Sequence, residues 1–285
     1  MAKCYRSELV GAFGCPIDEN PTGVMEEAAF AAKGLDYRYL TIKVEKGDLE
    51  DAMKAVRAFH MKGINITIPH KVAVLNYLDE LSEAAGIIGA VNMVVNRDGK
   101  LYGENTDGKG YLKSLTDAGV SPAGKCITVL GAGGAARAIS VECALAGAKK
   151  IYIANIEREQ GEELTAMLKE KTGVEAEFLM WDHTLDVPDD TEILSNATSV
   201  GLYPHTDQKP NINYDTIRPD MVVTDVIFND PNSLFLREAG ARGAKTINGL
   251  GMLVNQGALN FTMWTGVEAP VDVMTDTLKR EFDLK

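Results

Sequence analysis

Short apolar runs alternate with amphipathic helical stretches along nearly the whole chain. In the first hundred residues this pattern predicts strands at 8–13, 37–44, 63–68, 90–95 and 100–103, and helices at 24–33 and 49–61. The last two strands flank residues 96–99, a segment rich in turn formers. This alternation is typical of an α/β protein built on parallel sheets.

A second series of elements follows residues 121–125, the segment with the clearest composition of a linker. A helix is predicted before it, at 107–120. Beyond it we predict strands at 126–130, 150–155, 192–197, 221–226 and 245–247, a small-residue helix that ends at 146, and helices at 252–264 and 271–282. We therefore expect two α/β domains, the first formed by residues 1–110 completed by 250–285 and the second by residues 111–249.

Composition narrows the class of partner. The 285 residues include 29 Lys and Arg against 41 Asp and Glu, a formal charge of −12, which argues against nucleic acids and anionic membranes. No run approaches the roughly 20 apolar residues of a membrane span, and no apolar signal-peptide core follows Met1, so we expect a cytoplasmic protein. The four cysteines and four histidines are dispersed, so we predict neither a metal site nor a disulfide framework.

A glycine pattern directly follows the predicted strand at 126–130. Gly131, Gly133 and Ala136 occupy the positions of a G-x-G-x-x-G/A fingerprint, and a helical stretch comes next. Gly131 permits a tight turn, Gly133 lets the backbone approach a pyrophosphate, and the helix N-terminus offers free N–H groups. The alternative is a turn that happens to be rich in glycine. We predict nucleotide binding by Gly131, Ala132, Gly133, Gly134 and Ala135.

The end of the next strand bears on the choice of nicotinamide cofactor. Glu157 lies about 20 residues after the glycine loop, where the fingerprint expects an acidic residue. A carboxylate accepts hydrogen bonds from a free ribose diol and repels a 2′-phosphate, so Glu157 favours NAD over NADP. Arg137 and Arg158 are nearby positive charges that reverse this preference if they clamp the phosphate. Alternatively, these residues are surface charges on a solvated loop.

Three segments of the first domain place polar side chains where burial needs a reason. Asn65 and Thr67 share one face of the predicted strand at 63–68, and a helix that starts at a proline holds Lys71 in its first turn. Residues 90–92 and 105–108 each end or interrupt a strand with side chains suited to binding a polyol. N-capping and solvated surface charge are the alternative explanations for single residues in this set.

At these positions the sequence resembles the shikimate dehydrogenase family, including its quinate/shikimate members. Six family elements occur in order: N-V-T-x-P-x-K at 65–71, A-V-N at 90–92, N-T-D-G at 105–108, the glycine loop at 131–135, N-A-T-S at 196–199 and G-L-G-M-L-V-x-Q at 249–256. The resemblance implies NAD(P)-dependent hydride transfer between the nicotinamide and a ring hydroxyl or ketone of shikimate, quinate or a related cyclic polyol.

The resemblance also implies the roles of the two domains and of single residues. Residues 1–110 with 250–285 would form the substrate domain, and residues 111–249 a Rossmann dinucleotide-binding domain. Lys71 and Asp107 would be the catalytic pair that moves the hydroxyl proton while hydride travels to or from the nicotinamide. The substrate hydroxyls would be held by Asn65, Thr67, Asn92 and Gln256. The cofactor cleft would be lined by Asn155, Thr198, Val226 and Gly249.

The beginning of the chain departs from the family pattern. The family's G-x-P-I-x-H-S-x-S-P, whose two serines bind the substrate carboxylate, corresponds to residues 14–23. Asn20 and Thr22 stand in place of the serines, and Glu19 replaces the histidine. Asn and Thr can still donate hydrogen bonds to a carboxylate, but Asp18 and Glu19 would repel an anion. Phe228 also replaces a tyrosine near the substrate.

Two substrate hypotheses follow, and the complete set of hydroxyl-binding residues slightly favours the first. In the first, Asn20 and Thr22 bind shikimate or quinate in an altered geometry. In the second, the hydride chemistry is retained on a neutral or amine-bearing cyclic polyol. One competing function is a nucleotide-binding regulator without catalysis, which leaves the pair Lys71 and Asp107 unexplained. Another is a methylenetetrahydrofolate dehydrogenase on the same two-domain plan, which leaves Asn92, Asp107 and Gln256 unexplained as a polyol-binding set. The partners we consider are the small-molecule substrate and a second copy of the chain in a homodimer.

Overall fold

The computed structural model describes residues 5–284, in which strands and helices alternate. The strands are β1 (Glu8–Gly14), β2 (Tyr37–Lys43), β3 (Gly63–Ile66), β4 (Glu80–Leu81), β5 (Met93–Arg97), β6 (Lys100–Glu104), β7 (Cys126–Leu130), β8 (Lys150–Asn155), β9 (Glu175–Met180), β10 (Ile193–Asn196), β11 (Val222–Asp225) and β12 (Lys245–Ile247). The helices are α1 (Thr22–Ala32), α2 (Leu49–Ala58), α3 (Glu83–Ile88), α4 (Thr106–Asp117), α5 (Gly134–Leu145), α6 (Arg158–Thr172), α7 (Leu234–Ala241), α8 (Gly249–Thr265) and α9 (Val271–Glu281). The predicted α/β class is confirmed.

The chain divides into two compact units, each built on its own six-stranded sheet. The first unit consists of the described residues up to Thr106 together with those from Gln256 onward. The second unit is Asp107–Asn255. These bounds differ by a few residues from the domain limits expected from the sequence. The reason is that α4 and α8 each begin in one unit and continue in the other, so neither change of unit falls in a loop.

The sheet of the first unit has the order β2-β1-β3-β5-β6-β4. β1 is parallel to β2 and β3, but β5 runs antiparallel to both β3 and β6. β5 is therefore the exception in this unit to the parallel arrangement that the alternating pattern predicts. The predicted turn at 96–99 explains the reversal, because so short a connection joins only antiparallel neighbours. Gly99 donates its N–H to Asn96 Oδ1 at 2.7 Å and adopts a φ of +93°.

The sheet of the second unit is parallel throughout, with the order β12-β11-β10-β7-β8-β9. Numbered within the unit, this is the 3-2-1-4-5-6 order of a Rossmann fold. The order reverses between β7 and β10, and all residues of these two strands are buried because such sheets are covered on both faces. Ligands of open α/β sheets bind at the carboxyl ends of the strands beside such a reversal, so the loops after β7 and β10 mark the candidate nucleotide site.

The segment after β3 differs from the prediction. The strand ends at Ile66, so Thr67 follows it, and Lys71 lies in a turn rather than in the first turn of a helix. His70 is the reason: its backbone N–H bonds to the Thr67 carbonyl at 2.8 Å, and its buried Nε2 lies 2.7 Å from the carbonyl oxygen of Val44. These contacts fix a turn at 67–70, and the first helical residues belong to a short 3-10 helix, Ala73–Tyr77.

Five elements of the structure were not predicted from the sequence. They are β4, α3, β9, α6 and α7. Among the described residues, no helix combines the length and the apolar character needed to cross a membrane. Residues 5–284 also bring together no cluster of three or more potential metal ligands, and Cys4 lies outside this range.

Candidate active site

The glycine loop lies between β7 and α5. Gly131 adopts a φ of +107°, which favours glycine, and a Cβ there would lie 3.1 Å from Thr198 Cγ2. Gly133 is the N-cap of α5 and provides no side-chain cap for the first N–H groups of the helix. A Cβ added at Gly133 or Gly134 would meet no heavy atom within 4 Å. The loop thus leaves an open space at a helix N-terminus, which suits a pyrophosphate.

Glu157 follows β8, the strand next to β7, and is the exposed N-cap of α6. Asn155 orients this turn by donating Nδ2–H to the Glu157 carbonyl at 2.9 Å. The two nearby arginines each contact a carboxylate: Arg137 bonds to Glu163 at 2.7 Å and Arg158 to Glu162 at 3.0 Å. Within residues 5–284 no ion pair engages the Glu157 carboxylate, whereas both arginines are paired.

A buried hydrogen-bond network links the ends of β10 and β11. Asp225 Oδ1 accepts from Asn196 Nδ2 at 3.0 Å, and Asp225 Oδ2 accepts from Ser233 Oγ at 2.6 Å. Asn196 Oδ1 in turn accepts from both the N–H and the hydroxyl of Thr198, at 3.2 and 2.7 Å. Burial raises the pKa of Asp225 to about 6. The network fixes the loop that carries Thr198, one of the residues expected to line the cofactor cleft.

Val226 and Gly249, two other residues of the expected cofactor cleft, contact each other. A Cβ at Gly249 would lie 2.4 Å from the Val226 carbonyl oxygen and 2.6 Å from that of Ile227. These are backbone atoms, so only glycine lets α8 begin this close to the end of β11.

In the first unit, a continuous chain of amide and hydroxyl groups connects three of the residues expected to bind the substrate. Asn65 donates Nδ2–H to the Asn92 carbonyl at 3.2 Å, and Asn92 Oδ1 accepts from the Thr106 N–H at 2.7 Å. The Thr106 hydroxyl donates to Asn260 Oδ1 at 2.8 Å, and Asn260 Nδ2–H bonds to Gln256 Oε1 at 3.1 Å. All five side chains are buried, so the network is rigid and suited to orienting a polyol.

Of the two residues expected to be catalytic, Lys71 belongs to the first unit and Asp107 to the second. Lys71 is half-buried, and its carbonyl accepts the N–H of Val91 at 2.8 Å, next to Asn92 in the chain. Asp107 is the second residue of α4, immediately after Thr106 of the polar network, and an acidic side chain in a first turn is stabilised by the helix dipole. Lys71 is therefore bonded to the residue before Asn92, and Asp107 directly follows Thr106 in the sequence.

Thr67 lies beside the end of β1, and Thr22 is the first residue of α1. A Cβ at Gly14 would lie 2.4 Å from Thr67 Cγ2, so Thr67 packs against the end of β1. Thr22 is the buried first residue of α1, and its N–H bonds to Asn20 Oδ1 at 2.9 Å. The Nδ2–H groups of Asn20 take no part in this bond and can donate to a ligand. Asp18 and Glu19 precede this turn and are exposed.

The sequence analysis missed three polar residues of the first unit. Tyr39 donates its buried hydroxyl to Asn65 Oδ1 at 2.9 Å, and Asn260 links Thr106 to Gln256. The third is Glu26, whose carboxyl is fully buried. The spacing of Asn260, four residues after Gln256 on one helix, was the signal for the second of these. Tyr39 and Glu26 stand in ordinary amphipathic patterns and give no such signal.

Comparison with known families identifies related sequences over both units. The model of the shikimate dehydrogenase substrate binding domain matches residues 12–94, and that of the shikimate 5′-dehydrogenase C-terminal domain matches residues 249–279. A shikimate dehydrogenase (NADP(+)) of Desulforamulus reducens is 41% identical over 279 residues, which are 97% of this chain and 96% of that protein.

Two solved structures are similar over nearly their full length. The ligand-free 5-ketofructose reductase of Gluconobacter sp. strain CHM43 has a TM-score of 0.94 and 45% identity, covering 98% of this chain and 100% of that one. The shikimate 5-dehydrogenase of Listeria monocytogenes, solved with shikimate and NAD, has a TM-score of 0.90 and 37% identity, covering 95% and 96%. The two relatives share the fold and differ in their named substrates.

Proposed function

Since the chain belongs to the shikimate dehydrogenase family and is an NAD(P)-dependent oxidoreductase, we propose that it transfers hydride between the nicotinamide and a hydroxyl or ketone of shikimate, quinate or an uncharged polyol with a similar hydroxyl pattern. The first unit would be the substrate domain and the second the nucleotide domain. The observation that carries the proposal is the buried network of Asn65, Asn92, Thr106, Asn260 and Gln256. Such a fixed set of amide and hydroxyl groups discriminates hydroxyl positions on a substrate.

The roles proposed for the chain's residues follow from the chemistry of alcohol oxidation. A bound nicotinamide supplies the hydride acceptor, or the donor in reduction. Lys71 takes the hydroxyl proton during oxidation, and during reduction it polarises the carbonyl and returns that proton. Asp107 is the second member of the proposed catalytic pair. Asn65, Thr67, Asn92 and Gln256 hold the remaining hydroxyls so that the reacting carbon stays in position.

Uncharged substrates are expected to be the better ones. Asn20 and Thr22 offer donors to a carboxylate, but the chain has placed the acids Asp18 and Glu19 directly before them. The similarity to a 5-ketofructose reductase, whose named substrate is a keto-sugar, favours the same conclusion. We expect turnover of both classes, with kcat/KM about tenfold or more higher for an uncharged ketone, which corresponds to about 1.4 kcal/mol of differential binding.

Initial rates test this expectation. Purified protein is offered shikimate and quinate with NAD and with NADP, and 5-ketofructose with the reduced cofactors. Turnover of at least one acid and faster turnover of 5-ketofructose agree with the proposal. If none of the three compounds is turned over while nucleotide still binds, both proposed substrate classes are excluded. Only the proposal that the protein binds a nicotinamide nucleotide would then remain.

We further propose that NAD is preferred over NADP, unlike in the relatives that are named for NADP(+). The support is Glu157 at the end of β8, together with the engagement of Arg137 and Arg158 by other carboxylates. Replacing Glu157 with Ser removes the repulsion of a 2′-phosphate and the acceptor for the ribose diol. We expect kcat/KM with NAD to fall about tenfold and kcat/KM with NADP to rise by a similar factor.

Steady-state kinetics with both cofactors measure this switch. Glu159→Gln, an exposed acid-to-amide change in the first turn of the same helix, is the matched control and should leave the ratio unchanged. A wild-type protein that already prefers NADP, or a Glu157→Ser variant with the wild-type ratio, contradicts the role given to Glu157.

A further inference from the structure

Asp225, the last residue of β11, is a buried acid whose carboxylate joins three segments of the second unit. Its Oδ1 accepts the Nδ2–H of Asn196, at the end of β10, at 3.0 Å and the N–H of Ile227, in the loop after β11, at 3.1 Å. Its Oδ2 accepts the hydroxyl of Ser233, the N-cap of α7, at 2.6 Å. All three donors are uncharged groups. The carboxylate is thus the common acceptor of two strand ends and a helix.

A carboxylate at this position needs a reason, because burial penalises its charge. Burial raises the pKa of Asp225 to about 6, and the carboxylate form still predominates at neutral pH. An ionised carboxyl has acceptors only, so it meets three donors without presenting a hydrogen of its own, whereas an amide would turn its NH2 group toward one of them. Asp225 is therefore suited to fixing the ends of β10 and β11 in one arrangement.

Through Asn196, Asp225 controls the loop after β10. Asn196 and Asp225 are paired residues of adjacent parallel strands. The bond to Asp225 orients the Asn196 amide so that its oxygen accepts both the N–H and the hydroxyl of Thr198, at 3.2 and 2.7 Å. Thr198 Oγ1 in turn accepts the N–H of Val200 at 3.1 Å. One carboxylate thus determines the path of residues 197–200.

Through the N–H of Ile227, Asp225 also controls the loop after β11. The Ile227 carbonyl accepts the N–H of Gly249, at the start of α8, at 3.2 Å. The intervening residue, Val226, donates its N–H to the Asn196 carbonyl at 3.1 Å, which bonds this loop to β10. Thr198, Val226 and Gly249, three of the residues expected to line the cofactor cleft, are therefore connected through Asp225.

The order of the strands assigns the two halves of a dinucleotide to different parts of this unit. The sheet order reverses between β7 and β10, and a dinucleotide lies across such a reversal. On one side, the glycine loop after β7 leaves room for a pyrophosphate, and Glu157 after β8 stands where the fingerprint places a ribose. These features suit the adenosine half. The nicotinamide half is left for the ends of β10 and β11, the two strands that Asp225 connects.

We propose that Asp225 is a positioning residue for the nicotinamide: through Asn196 and the N–H of Ile227 it fixes the two loops that orient the ring for hydride transfer. The inference rests on the proposed function and adds a residue to it. Asp225 acts through these loops and not by contact with the substrate. The pyrophosphate and the adenosine ribose are bound elsewhere in the unit, so loss of Asp225 affects kcat more than nucleotide affinity. Misplacement of a reacting group by about 1 Å lowers the rate about 100-fold.

Two variants of Asp225 test this role. Asp225→Ala removes all three bonds, and we expect kcat to fall about 100-fold, with 5-ketofructose and NADH or with shikimate and NAD, whichever pair wild type turns over. The Kd for NAD, measured by calorimetry, should stay within about threefold of wild type. Asp225→Asn can keep its oxygen on Asn196 and Ile227 and turn its NH2 group to the Ser233 oxygen, so it should keep kcat within about fivefold of wild type.

A control variant separates positioning from a general loss of stability. Thr191 is fully buried in the same unit, and its hydroxyl pairs with that of Thr128 at 2.7 Å, before β10 begins and away from the loops. Thr191→Val should lower the melting temperature and leave kcat unchanged. Asn196→Ala breaks the connection to Thr198 without altering Asp225. It should show the same loss of kcat, and it carries the test if Asp225→Ala does not fold.

Hydrogen exchange of the backbone amides gives a readout besides turnover. Without ligand, residues 197–203 and 226–229 should exchange faster in Asp225→Ala than in wild type and at the wild-type rate in Thr191→Val. NAD should protect these segments in wild type and not in Asp225→Ala. Unchanged exchange in Asp225→Ala, or an equal loss of kcat in Thr191→Val, overturns the inference while the proposed function stands. If wild type turns over neither substrate, the proposed function fails, and protection by NAD decides the inference: its absence in wild type overturns it.

Discussion

Replacing Lys71 with Ala is expected to lower kcat about 10³-fold while leaving the affinity for the nicotinamide nucleotide unchanged. Lys71 is the only group assigned to both proton removal from the hydroxyl and polarisation of the carbonyl, so its loss affects both directions of the reaction. The half-buried side chain starts from a turn fixed by His70 and by the bond between its own carbonyl and Val91. Those backbone contacts remain in the variant, and its melting temperature should therefore stay close to that of wild type.

Three measurements define the role of Lys71. Single-turnover rates should show the loss in the chemical step, and titration with nucleotide should give an unaltered Kd. Added methylamine should restore part of the activity, because a small amine can enter the space left by the side chain and carry the proton. Lys33→Ala, at the exposed C-cap of α1, is the control for loss of a lysine and should behave like wild type. A regulatory protein without catalysis would show no change in turnover in either variant.

Local signals in the sequence were sufficient for the nucleotide half of the molecule. β7 was predicted with both its ends, and α5 follows the glycine loop as expected. Here a buried strand, a turn that requires glycine at Gly131 and a helix of small residues succeed one another within twenty residues. Each part depends on contacts that are close in sequence, and such patterns predict structure well.

The substrate half depends on contacts between distant residues, which the sequence does not reveal. Lys71 was expected in a helix, but the buried contact between His70 and Val44 forms a turn instead. The predicted turn at 96–99 accounts for the antiparallel pairing of β5 with β6, whereas the antiparallel pairing of β5 with β3 joins residues that are distant in the sequence. A hydrophobic pattern gives the face of an element but not the direction of its neighbour in a sheet.

Individual polar residues show the same limit. Glu26 and Asn260 are fully buried, and only the packing of α1 against α8 shows this. The family resemblance identified Gln256 but not its partner Asn260, since a motif records residue types and not the hydrogen bonds that hold them. The carboxylate subsite could be questioned from sequence because Asn20 and Thr22 fall within the motif, whereas the burial of Glu26 is visible only in the structure.

Replacing Gly133 with Ala is expected to weaken nucleotide binding about 100-fold, which corresponds to about 2.7 kcal/mol, with little change in stability. In the ligand-free protein a Cβ at this position meets no atom within 4 Å, and the φ of −73° is one that alanine adopts freely. The cost arises only when a pyrophosphate approaches the backbone at the start of α5. Calorimetric titration with NAD and with NADP measures the affinity, and thermal unfolding without ligand measures the stability.

Two other glycine-to-alanine variants distinguish steric exclusion of a ligand from damage to the fold. Gly131→Ala is expected to lower both stability and affinity, because Gly131 has a φ of +107° and its Cβ would press on Thr198 and Ala197. Gly86→Ala should leave nucleotide affinity unchanged, because Gly86 lies in α3 of the other unit and a Cβ there meets no atom within 4 Å. Wild-type affinity in Gly133→Ala would mean that the pyrophosphate does not approach this backbone. A fall in its unfolding temperature as large as that of Gly131→Ala would instead show that the loop is constrained without ligand, so the difference between the two variants decides whether the open space at the start of α5 is a binding site.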